Sequence, residues 1–168
     1  MKILQYLQKL FSGFFILIIA MSVLTWLGFI NPFDTFESSM SDRVESKLRI
    51  EAASGKPDSQ NKLGTLLYVT AKKTQGDFSE AISWFEKASK QDHSIAQMNL
   101  AFSYKAGNGV LQNNQKAIEL FHSAGLLFLK REFPMDAKDC VHAIAKINSV
   151  HPLKTSLIQA ITRYEEHL

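Results

Sequence analysis

The sequence predicts an all-α protein: an N-terminal transmembrane helix followed by a short α-solenoid of helix pairs. Two observations predict it. Of the 35 charged side chains, only Lys2 and Lys9 fall in residues 1–30. Beyond residue 57 the chain repeats itself at an offset of 36–37 residues. A length of 168 residues suits one domain with an appendage and excludes a large multidomain enzyme. A net charge of +3, with acids and bases mixed along the chain, argues against a dedicated nucleic-acid binder. A single cysteine, Cys140, excludes an internal disulfide framework and a zinc site built on thiolates.

Residues 1–10 form a short N-terminal tail, and residues 11–30 run FSGFFILIIAMSVLTWLGFI without a charge. At about 1.5 Å per helical residue this run spans about 30 Å, the thickness of a bilayer's hydrocarbon core. Trp26 and Phe29 stand near one end, where interfacial aromatics belong, and Asn31-Pro32 closes the run. The rival reading is a cleaved secretory signal with Ala20-Met21-Ser22 as its small-x-small site. The apolar run continues for eight residues past Ser22, which favours an uncleaved anchor. Lys2, Lys9 and the free amino group flank one side, while Asp34, Glu37, Asp42 and Glu45 face Arg43, Lys47 and Arg49 on the other. The positive-inside rule then predicts a cytoplasmic N-terminus, and a C-terminal domain in the periplasm if the membrane is a bacterial inner membrane.

Residues 31–56 read as a connector. Met40, Val44, Leu48 and Ala52 recur every four residues as a thin apolar stripe, and Ser54-Gly55-Lys56-Pro57 breaks it.

The repeated part begins at residue 57. Ser59-Gln60-Asn61-Lys62-Leu63-Gly64 corresponds to Ala96-Gln97-Met98-Asn99-Leu100-Ala101. Farther on, Ala81, Ile82, Phe85 and Ala88 correspond to Ala117, Ile118, Phe121 and Ala124. Positions i, i+1, i+4 and i+7 lie on one face of a helix. The alanines permit close helix approach, and the aromatic fills the remaining space. Asp77 with Glu80 reads as a capping-box start for this helix. Two helices per mid-thirties period indicate an α-solenoid, whose units bury their apolar faces on one another.

These residues resemble the Sel-one-like repeat, a short relative of the tetratricopeptide repeat. The resemblance rests on Ala96, Leu100, Tyr104, Gly107-Asn108-Gly109-Val110 and Lys116-Ala117-Ile118-Glu119-Leu120-Phe121 in one copy. In the other it rests on Leu63-Gly64, Asp77, Ala81 and Ile82-Ser83-Trp84-Phe85-Glu86-Lys87-Ala88, so that it covers residues 57–125. The first copy departs by having Ala71-Lys72-Lys73-Thr74-Gln75-Gly76 in place of the G-x-G-V loop; the second has Ala101 and Asn113 where Gly and Asp are usual. Cysteine-rich members carry a disulfide in every repeat and a claimed hydrolase activity. Cys140 alone does not match them, so that activity is not implied here.

Residues 126–168 read as a further tetratricopeptide-like unit with a capping helix. Gly125 and Ala137 stand 12 residues apart, as in such a unit, which makes residues 115–131 one long helix shared with the preceding repeat. A helix over 136–148 follows with Ala137, Val141, Ile144, Ala145 and Ile147 inward. His151-Pro152 opens the last helix, with Leu153, Leu157, Ile158 and Ile161 inward.

Nothing in the residues makes a catalytic constellation. Glu119-x-x-His122 and Asp139-x-x-His142 have the spacing of bundle metal ligands, but no matching third pair accompanies them, and ordinary polar helix faces explain them better. Cys140 and His142 lie on different faces of one helix. Gly107-Asn108-Gly109 follows a helix and lacks the Lys-Ser/Thr ending of a phosphate loop. The reading is therefore a non-enzymatic scaffold, without metal or cofactor, that binds a protein or peptide and no nucleic acid. The concave face made by the first helix of each unit nominates Gln60, Thr65, Tyr68, Gln97 and Tyr104 as its exposed contact residues.

Overall fold

The structure is a computed structural model that describes residues 15, 16, 18–23, 25, 26 and 32–167, with residues 32–41 described by backbone alone. The predicted span 11–30 lies partly outside these residues. Within it, the described residues are helical and exposed, and the Ser22 and Thr25 hydroxyls donate to the carbonyls of Ile18 and Met21. Among the described residues no helix is long and apolar enough to cross a membrane. The chain divides into two compact units, residues 1–44 and 45–168.

Seven helices follow in order: α1 Pro32–Ala53, α2 Pro57–Thr74, α3 Ser79–Ser89, α4 Ser94–Ala106, α5 Asn114–Lys130, α6 Pro134–Ile147 and α7 Pro152–Glu166. Among the described residues there is no strand. Pro57, Pro134 and Pro152 sit in first turns, where the missing N–H has no intrahelical partner to lose. Side-chain caps begin α4, α5 and α7: His93 Nδ1 accepts from Ala96 N, Asn113 Oδ1 from Lys116 N, and His151 Nδ1 from Leu153 N. The capping box predicted from Asp77 and Glu80 does not form. Asp77 instead accepts from the Ser79 amide in an Asx turn, and Glu80 turns away to Arg49, whose guanidinium reaches both of its oxygens. An ion pair with α1 outcompetes the local cap, and the Arg49 hydrogen bonds hold the Glu80 carboxyl below its ordinary range.

From α2 onward each helix packs on its sequence neighbour, and α5 also packs on α7. All eight equivalent core positions are buried: Ala81, Ile82, Phe85 and Ala88 in α3, and Ala117, Ile118, Phe121 and Ala124 in α5. The long shared helix is α5, one residue earlier at each end than the sequence suggested. Ala137, Ile144, Leu157 and Ile161 close the C-terminal core, whereas Ile158 is exposed because it follows Leu157 by one residue and faces about 100° away.

The end of α1 behaves like the last turn of a repeat. Gln60 Nε2 donates to the carbonyl of Ala52, and Gln97 Nε2 donates to that of Ser89, each eight residues back and each at a helix C-terminus. Ala52 is as buried as Ala88. Glu51 adds an acceptor for the Ser59 hydroxyl. These contacts tie the residues of α1 from Glu45 on to α2, and one full turn of unpaired carbonyls at each helix end is thereby reduced.

Gly64 is where α2 meets α3. A Cβ built there would stand 2.8 Å from two ring carbons of the buried Phe85 and 3.1 Å from the Ala81 carbonyl. Alanine gains about 1 kcal/mol of intrinsic helix propensity over glycine, but overpacking a filled core costs about 1–3 kcal/mol. Gly64→Ala is therefore expected to lower the urea midpoint of the full chain. A raised midpoint would show that the Phe85 ring has room to move.

Candidate functional site

The first helices of the two repeats, α2 and α4, stand side by side with α3 behind them. Between them opens a groove of about 270 Å³ lined by Thr65 and Tyr68 of α2, Phe85 of α3, and Asn99 and Phe102 of α4. Its floor is the buried ring of Phe85, and one wall is Phe102, which is 44% exposed although large and apolar. Phe102 is held from behind by an edge-on contact with Phe121, ring centroids 4.8 Å apart. Tyr68 is fixed by the Phe78 ring at 4.9 Å and by its hydroxyl oxygen, which accepts from Asn108 Nδ2 at 2.6 Å. Asn99 Nδ2 donates to Asn61 Oδ1 at 3.1 Å, joining α4 to α2 across the groove's end. The lining is thus apolar below and polar at the rim, the usual make-up of a recognition cleft.

Of the five residues nominated from sequence, Thr65 and Tyr68 line this groove. Gln60 and Gln97 were nominated as exposed, and the structure corrects this: they are 5% and 7% exposed and spend their amides on the preceding helix ends. Polarity alone does not put a residue on the surface, because helix termini demand donors inside the stack. Gln60 Oε1 accepts from Gln91, while Gln97 Oε1 is buried without a hydrogen-bond partner. Tyr104 is half-buried, packs on both hydrophobic clusters and is not among the residues that line the groove. Sequence reasoning missed Asn99, Phe85 and Phe102 as lining residues. The signal was present, since Phe102 lies 37 residues after Thr65, the offset that relates the two copies.

At the N-terminal ends of α2 and α4 the two repeats are joined through His93, only 4% exposed. Its Nδ1 accepts the Ala96 amide, so Nε2 carries the hydrogen that meets Asp58 Oδ1 at 2.9 Å. Arg131 reaches back from the end of α5 to the Asp92 carbonyl. Elsewhere, Glu119 accepts from Gln115, His122 faces the Ser156 hydroxyl of α7, and no cluster of three or more potential metal ligands occurs among the described residues. Burial, with Asp139 and Asp136 nearby, pushes the Cys140 thiol up to about 12, which leaves it protonated and a poor nucleophile.

Residues 57–93 and 94–127 match the Sel1 repeat. The boundary between the two matched segments falls between His93 and Ser94, so the groove takes Thr65, Tyr68 and Phe85 from the first and Asn99 and Phe102 from the second. Neither repeat holds the groove alone. No curated protein matches the chain. Among solved structures, the crystal structure of a Sel1 repeat protein from Oxalobacter formigenes is similar, with a TM-score of 0.46 and 19% identity. The likeness covers 69% of this chain and 54% of that one, so the chain spans about half of that protein's length. The first copy's departure from the G-x-G-V loop has a visible form: α2 runs on to Thr74, and Gln75 takes the left-handed conformation at φ 55 that glycine occupies at Gly107.

Partial burial between α5 and α7 holds His122 below its usual pKa. A histidine depressed in the folded state contributes stability that is present above its unfolded pKa of about 6.5 and is lost as pH falls below that value. The full chain is therefore expected to lose more stability between pH 7 and pH 5 than its His122→Gln variant, as measured by urea unfolding. Equal losses would mean that the imidazole is as well solvated folded as unfolded.

Proposed function

We propose that the chain is a single-pass, membrane-anchored scaffold that binds another protein through the groove shared by its two Sel1 repeats. Sel1 repeats generally act as non-catalytic modules of protein–protein interaction. The observation that carries the reading for this chain is Phe102: a large aromatic packed edge-on against Phe121 yet left open beside a preformed apolar floor. A rigid aromatic at the edge of a preformed cleft loses little entropy on binding and makes an effective anchor point.

The anchoring half of the proposal rests on the uncharged run at residues 11–30 and its flanking lysines. Charge bias orients the repeats away from the cytoplasm. Confinement to a membrane raises the local concentration of the groove toward partners on the same membrane.

Replacing single residues by the photo-crosslinker benzoylphenylalanine in the full chain, in native membranes, tests both halves. The chain is expected to stay in the membrane pellet after an alkaline carbonate wash. Position 102 is expected to give one discrete protein adduct, and Val150, an exposed loop residue between α6 and α7, none. Release by carbonate would remove the anchor, and an adduct at 150 but not at 102 would remove the groove.

A further inference from the structure

The two helices that form the groove are unevenly charged. Together α2 and α4 carry four lysines, Lys62, Lys72, Lys73 and Lys105, and one acid, Asp58. That acid is already engaged by the buried His93. Among the described residues none of the four lysines belongs to an ion pair. Helical register places three of them beside the lining residues. Lys62 is three residues before Thr65, Lys72 is four after Tyr68 and seven after Thr65, and Lys105 is three after Phe102. None of the three is itself a lining residue; each stands one or two helical turns from one. The glutamates of the neighbouring α3, Glu80 and Glu86, lie on the helix behind, and Glu80 is bound to Arg49.

We propose that the groove receives an acidic protein segment carrying one large apolar side chain. The apolar side chain seats on Phe85 against Phe102, and flanking carboxylates meet Lys62, Lys72 and Lys105. This rests on the protein-binding reading above and adds the class of partner. A volume of about 270 Å³ lies below the ~300–1,000 Å³ typical of small-molecule sites and suits the insertion of one side chain. The division of labour follows from the chemistry. Exposed lysines add little affinity singly, but a one-signed rim steers an oppositely charged segment and rejects a basic one, while the desolvated ring contact supplies the hold. The lysine ammoniums, which only donate, match an acceptor-rich acidic segment rather than a basic one.

The test uses the full chain in an uncharged detergent and fluorescein-labelled nine-residue peptides followed by fluorescence anisotropy. The probe has a central phenylalanine flanked on each side by four alternating Asp and Glu. Two controls replace the phenylalanine by alanine, or all acids by lysine. The probe is expected to bind at least tenfold more tightly than either control. The double variant Lys62→Gln/Lys105→Gln is expected to weaken it about five- to tenfold and to flatten its salt dependence. Phe102→Ser is expected to abolish the preference for phenylalanine over alanine, with the urea midpoint reporting that the fold is kept. Equal or tighter binding of the lysine peptide overturns the proposal, as does a probe affinity unmoved by the lysine substitutions. If the crosslink at position 102 persists in membranes while the acidic probe fails to bind, the groove remains a protein site and the acidic specificity falls. A concentration-dependent dimer broken by Lys62→Gln/Lys105→Gln would make the occupant a second copy and would also overturn it.

Discussion

The repeat array depends on fitting a phenyl ring against a helix that has almost no side chain at the point of contact. Phe85 lies on Gly64 so closely that even a methyl group there would stand 2.8 Å from the ring. In the second repeat Ala101 and Phe121 hold the corresponding positions, and both are fully buried. Each ring thereby sets how near the first and second helices of its repeat can come, and protein interiors at crystal-like density transmit such spacings to their neighbours. The groove is a by-product of that spacing: Phe85 is its floor, and Phe121 props the Phe102 wall from behind.

Much of the fold was legible because helical periodicity and repetition reinforce one another. Any one alanine is uninformative. Ala81, Ala88, Ala117 and Ala124, recurring with aromatics at fixed offsets, are not, and all four are buried. What the sequence concealed were competitions between local and distant partners. Asp77 and Glu80 have the spacing of a capping box, but Arg49, 31 residues away, offers Glu80 a charge-assisted pair that a backbone amide does not match. His93 does the reverse, serving as the N-cap of α4 although histidine seldom ranks as one, because Asp58 fixes its tautomer from the other side.

The candidate site was only partly legible, for a related reason. Gln60 and Gln97 look like surface residues, yet in a helix stack the interior contains helix ends, and a buried glutamine supplies the donors they lack. Their recurrence at the repeat offset was the clue that both serve the array. The same offset links Thr65 with Phe102, both of which line the groove, so that part of the lining can be read from repeat equivalence better than from polarity. Tyr68 and Tyr104 lack that equivalence. One faces the groove and the other joins the two cores.

The rings, rather than the loops or surface ion pairs, make α4 to α7 a single cooperative array. Phe121 shares its cluster with Ala101 of α4, Cys140 of α6 and Leu157 of α7, and truncating a buried phenylalanine costs about 3–5 kcal/mol. The most direct test is amide hydrogen exchange, resolved helix by helix, on the full chain carrying Phe121→Ala. Protection is predicted to fall together in α4, α5, α6 and α7. A loss confined to α5, with its neighbours as protected as before, would contradict the claim that the ring holds the array together.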